Sequence, residues 1–62
     1  MKYNLNIHFS KELKRPIKTI TNVVNVFLFD DCITIYTEYN NTGAMYKYKT
    51  LNIDKITTEV NI

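Results

Sequence analysis

Sixty-two residues make at most one small domain, and a chain of this size buries only about 60% of the surface it exposes when unfolded, so its own core leaves it marginally stable. Eight basic and six acidic side chains give a net charge of +2, too balanced to demand a polyanionic partner. With one cysteine and one histidine the chain can form neither an internal disulfide nor a Cys/His metal site, which leaves association with a partner or a second copy as the usual remedy for small size.

The lone Cys32 suits a reducing compartment, and the start MKYNLNIHFSKEL has neither the apolar centre nor the small-residue cleavage site of a signal peptide. A cytoplasmic protein is expected. The longest purely apolar run is Val26 to Phe29, far short of the ~18 residues of a membrane helix, so no membrane partner is expected. Phe, Tyr, Met, Ile, Asn and Lys fill 33 of the 62 positions. Their codons are AT-rich, which fits a low-GC bacterium or a phage or mobile element living in one.

In chain order, Lys2 to Phe9 alternate, with Tyr3, Leu5, Ile7 and Phe9 on one side and Lys2, Asn4, Asn6 and His8 on the other. That period of two predicts a half-buried strand. Ser10 to Arg15 breaks the alternation; Ser10 suits a helix N-cap, and Pro16 prevents a longer helix. One short helical turn near residues 10–15 is predicted, with Lys11, Lys14, Arg15 and Lys18 as a charged, solvated connection. From Ile17 the β-branched residues Ile17, Thr19, Ile20, Thr21, Val23, Val24 and Val26 predict a second strand, bent near Asn22. Residues 20–26 and 56–62 echo each other, as two strands in related places of a sheet would.

Two turn signals then set registers. Asp30-Asp31 at a hairpin tip pairs Phe29 with Cys32, Leu28 with Ile33, Val26 with Ile35 and Val24 with Thr37. The loop at Asn40 to Gly43, taken as symmetric about Asn41-Thr42, pairs Tyr39 with Ala44, Thr37 with Tyr46 and Ile35 with Tyr48. A slip by one residue would bring Lys47 and Lys49 onto the apolar face and is rejected. One face then carries Val24, Val26, Leu28, Ile33, Ile35, Tyr39, Tyr46 and Tyr48 and is the expected core. The other carries Val23, Phe27, Phe29, Cys32, Tyr36, Met45 and Leu51 among polar residues, more apolar surface than a solvent face needs. For Ile53 to Ile62 two placements stand: a tight turn at Asp54-Lys55 sends Ile56, Val60 and Ile62 to the second face, and a bulge near Asn52 sends them to the first. A covering role for Leu13 and Ile17 over the second face is the competing reading of that surface.

Catalytic chemistry is not encoded in any familiar pattern. Ser10, His8 and Cys32 are the only residues of their types, the paired carboxylates Asp30 and Asp31 read as turn residues, and a single glycine excludes glycine-rich phosphate loops. No enzyme activity and no cofactor are expected. Tyr46-Lys47-Tyr48-Lys49 interleaves rings and cations as single-strand-binding barrels do, yet alternation sends the tyrosines and lysines to opposite faces.

The expected fold is mostly β: an antiparallel meander of about five strands, forming a small barrel or strongly curled sheet, as a single domain over residues 1–62. The expected function is a non-enzymatic protein-binding module that self-associates through Val23, Phe27, Phe29, Tyr36, Met45 and Leu51, or uses them on a host protein as an inhibitor. The alternative is a nucleic-acid-binding module using Tyr36, Lys47, Lys49, Lys11, Lys14, Arg15 and Lys18. A small-molecule ligand stays open, with no residue set arguing for one.

Overall fold

The computed structural model describes residues 2–60. The strands are β1 (Tyr3–Phe9), β2 (Lys18–Leu28), β3 (Cys32–Tyr39), β4 (Thr42–Lys49) and β5 (Ile53–Val60), with 3-10 turns at Lys11–Leu13 and Thr50–Asn52. They form one antiparallel sheet in the order β4-β3-β2-β1-β5. The sheet curls but does not close: β4 and β5 are its two edges, so the barrel option gives way to the open, curled one. No helix among the described residues is long and apolar enough to cross a membrane.

β2 is the strand on which the curl depends. Its first half, from Lys18 to Val23, pairs with β1, and its second half, from Val23 to Leu28, pairs with β3. Two irregularities mark the change of partner. Against β1 the register moves from Leu5–Ile20 to Tyr3–Val23, and against β3 it moves from Val23–Thr37 to Asn25–Tyr36. In each case β2 carries one residue more than its neighbour, the definition of a bulge, which bends and twists a strand. Asn22, at φ 58, supplies the first, since asparagine tolerates left-handed backbone better than other non-glycine residues.

The bulges reverse part of the expected face assignment. Val23 is fully buried in the core, while Val24 is 43% exposed. Counting strictly by twos from the hairpin tip gives the opposite, because one extra residue flips every side chain beyond it. Val23 is therefore corrected from interface to core. Leu28, Tyr39 and Tyr46, also expected in the core, stand exposed: Leu28 and Tyr39 are the last residues of their strands, and Tyr46 lies on the edge strand β4.

The core consists of Leu5, Ile7, Ile20, Val23, Ile33 and Ile35, with Tyr3, Phe9, Val26, Tyr48, Ile53 and Ile56 packed around it. β5 contributes by pairing with β1 and not with β4. No turn forms at Asp54-Lys55. A register shift between His8 and Phe9 sets Ile56 opposite Ile7 and Ile53 opposite Phe9, so both isoleucines reach the core despite being three residues apart. Val60 is 63% exposed opposite Tyr3, and Ile62 lies outside the described residues. Of the two echoing segments, residues 20–23 and the described part of residues 56–62 lie in strands that flank β1 from opposite sides.

The hairpin registers divide in the same way. Val26–Ile35 and Leu28–Ile33 are the predicted pairs, closed by a hydrogen bond from the Phe29 N–H to the Cys32 carbonyl at 2.9 Å. At the second hairpin the loop is two residues, Asn40 at φ 50 and Asn41 at φ 64, the type I′ geometry that matches strand twist. The pairs are Tyr39–Thr42, Thr37–Ala44, Ile35–Tyr46 and Ile33–Tyr48, two residues away from the expected ones. A shift of two leaves every side chain on its expected face. Ser10 precedes the first 3-10 turn without a side-chain cap, and Lys14 at φ 51 ends that turn, so no basic helical stripe forms.

Candidate functional site

The outer face of β2, β3 and β4 holds the most coherent group of exposed apolar side chains. Beyond the Val24 bulge, β2 alternates regularly and turns Phe27 outward. Neither β3 nor β4 has a register shift against the other, so Tyr36 and Met45 form a directly opposed pair on the same face. Phe27 and Tyr36 meet edge to face, with ring centroids 5.5 Å apart at 89°, a favoured aromatic geometry. Phe27, Tyr36, Met45 and Val24 are 45%, 37%, 59% and 43% exposed. Thr34, opposite both Phe27 and Lys47, is buried at 4% on this outer side, so the surrounding side chains have already closed over the sheet backbone there.

The connection from Ser10 to Lys18 does not shield this group. Ile17 is 56% exposed and borders a groove of ≈ 270 Å³ with Phe9, Arg15, Pro16, Lys18 and Tyr48, away from Phe27 and Tyr36.

The other half of the same sheet side has different chemistry. Across β2, β1 and β5 the outward side chains bond to one another: the Thr19 hydroxyl donates to Asn6 Oδ1 at 2.7 Å, Asn6 Nδ2 donates to Glu59 Oε1 at 3.4 Å, and His8 Nε2 lies 3.2 Å from Thr57 Oγ1. One half of the outer surface is thus a polar network and the other an aromatic and aliphatic cluster.

The expected interface residues do not stay together. Phe27, Tyr36 and Met45 do. Phe29, 58% exposed at the hairpin tip, lines a separate groove of ≈ 390 Å³ with Leu28, Ile33, Ile53 and Ile56. Leu51 is 87% exposed on the second 3-10 turn, which a hydrogen bond from the Thr50 N–H to the Asp31 carbonyl at 3.0 Å ties to that tip. The cations divide as well. Lys47 and Lys49 share a face with Tyr36, whereas Arg15 lies over the Phe9 ring at 5.6 Å, and Lys18 borders the same groove.

The Phe9–Tyr48–Arg15 group is absent from the sequence reading. Its rings are 5.9 Å apart at 60°, joining the end of β1 to the end of β4 across the curl. Only the curvature of β2 brings those ends together, and no local pattern signals it. Among the described residues no group of three or more His, Cys, Asp or Glu side chains is placed to hold a metal ion, and Cys32 is a free, half-buried thiol.

Family models, curated proteins and solved structures were all compared with the chain, and none matches.

Proposed function

We propose that the chain is a non-enzymatic protein-binding module whose contact surface is the outer face of β2, β3 and β4, and that its first partner is a second copy of itself. The observation that carries this reading is the exposed Phe27–Tyr36 pair with Met45 and Val24, uncovered by the chain's own connection. Water exclusion from such a cluster is the usual driving force of association, and aromatic and methionine side chains are enriched at interface centres. In the neighbouring polar half the outward side chains Thr19, Asn6 and Glu59 bond to one another and offer little apolar surface. A host-protein target, with the module as an inhibitor carried by a phage or mobile element, extends the same reading.

The test is mass in solution. Sedimentation at rising concentration is expected to show species heavier than the 7.4 kDa chain, and Met45→Asp is expected to return them to monomer with an unchanged circular dichroism spectrum. A wild-type chain that stays monomeric as it is concentrated overturns the self-association part of the proposal.

The nucleic-acid reading is supported by Lys47 and Lys49 sharing the exposed face with Tyr36. It is weakened by the placement of Arg15 and Lys18 beside Phe9, remote from that face. Phosphate contacts are strongest at low salt, so absence of a gel-shift complex at about 50 mM salt removes it.

A further inference from the structure

We propose that β4 is the seam of a twofold dimer, pairing antiparallel with β4 of a second copy so that Met45 lies beside Met45. The inference rests on the self-association proposed above but moves its contact from the outer face to the β4 edge that borders that face, leaving Phe27 and Tyr36 outside the seam.

β4 ends the strand order, and its ladder with β3 runs from Cys32–Lys49 to Tyr39–Thr42 without a shift. Natural edge strands are blunted by bulges, prolines or charges. The opposite edge, β5, has these devices: a register shift, and Asp54, Lys55 and Glu59 along it. β4 has no bulge and no proline, and its charges, Lys47 and Lys49, are confined to its C-terminal half, so that Thr42 to Tyr46 carries none.

The backbone fixes which groups are on offer. A two-residue loop makes Tyr39–Thr42 the closing hydrogen-bonded pair, and such pairs alternate along an antiparallel ladder. Gly43, Met45 and Lys47 therefore aim their N–H and C=O groups away from β3. Charge then selects the register. With Met45 beside Met45, Lys47 lies opposite Gly43 and Lys49 opposite Asn41. Moving one step toward the C-terminus sets Lys47 diagonally beside Lys47, and a second step sets the two directly opposed, which is unfavourable. Moving toward the loop shortens the overlap.

Area supports an edge over a face. At their observed exposures, Phe27 and Tyr36 together offer about 120–200 Å² of ring surface, whereas a stable interface buries about 800 Å² on each partner. Strand pairing supplies main-chain hydrogen bonds that do not depend on that area. It also brings Tyr36 and Met45 of both copies into one continuous outer stripe.

Paired substitutions at Gly43 separate the seam from the face. A Cβ there meets only the Thr37 carbonyl oxygen, at 3.8 Å, and the glycine has no positive φ, so Ala fits; Pro at this edge position takes no N–H from the ladder with β3, while its ring draws φ toward about −65°. Gly43→Ala keeps the outward N–H and is expected to dimerise like the wild type; Gly43→Pro removes it and is expected to be monomeric at about 100 µM, where a micromolar dimer is fully formed. Phe27→Asp is expected to leave the dimer intact. If Phe27→Asp dissociates it and Gly43→Pro does not, the copies pack face to face: the seam is overturned and the self-association reading stands. A wild-type monomer at that concentration overturns both. Should Gly43→Pro fail to fold, amide exchange on the wild type decides. The Gly43, Met45 and Lys47 N–H groups are expected to exchange at least about tenfold more slowly in concentrated than in dilute protein, and equal rates overturn the seam.

Discussion

Asn22 holds φ 58 within β2, a conformation that costs an ordinary L-residue about 1–2 kcal/mol. Asn22→Val is therefore expected to destabilise the fold by about that amount and Asn22→Gly to be close to neutral, as urea titration would show. The bulges beside it give Val23 and Val24 unequal weight. Val23→Ala empties part of a fully buried site and is expected to cost about 2 kcal/mol, while Val24→Ala at an exposed site should change stability by less than about 0.5 kcal/mol. Equal costs would contradict the bulge. Asn4 lies in β1 between the Tyr3–Val23 and Leu5–Ile20 pairs, opposite the same irregularity. Among the described residues its Oδ1 is buried with no hydrogen-bond partner, an arrangement that costs about 1–3 kcal/mol in desolvation. Asn4→Val is accordingly expected to raise the urea midpoint.

Each strand was legible to the extent that its period of two ran unbroken. β1 alternates from end to end, and Leu5 and Ile7 are buried where the pattern places them. Phe27, Tyr36 and Met45 share a face as read because no bulge lies between them and the hairpin tip. Beyond Asn25 the face assignment fails: the bend expected near Asn22 is present as a bulge, but the extra residue that each irregularity adds to β2 is not visible in the alternation and reverses the faces. At the second hairpin the same physics was forgiving: an error of two residues moved every pair and no face. Asn40-Asn41 there takes a turn that Asn-Gly fills best, so Asn41→Gly is expected to stabilise the hairpin by about 0.5 kcal/mol, read as a higher thermal midpoint. β5 was illegible in a deeper sense, because its partner is the first strand and its three-residue spacing of Ile53 and Ile56 reaches the core only through a shift against β1.

At the scale of the molecule, six apolar side chains among the described residues are buried, a thin core for a chain whose size already limits burial. Among the described residues eleven large apolar side chains remain exposed, and those on the outer face and along β4 adjoin an edge of the sheet. Folding and association are then expected to be linked, because a partner that binds only the folded chain adds to its stability in proportion to the logarithm of concentration. For a dimer that dissociates as it unfolds, tenfold dilution removes about 1.4 kcal/mol per dimer, a shift in urea midpoint on the order of 0.5 M for a chain with a small denaturant slope. Gly43→Pro, which blocks the seam, should unfold at a midpoint independent of concentration. A wild-type midpoint that does not move between micromolar and millimolar protein would mean that the thin core suffices alone. The exposed stripe of Phe27, Tyr36 and Met45 would then face only a partner other than itself.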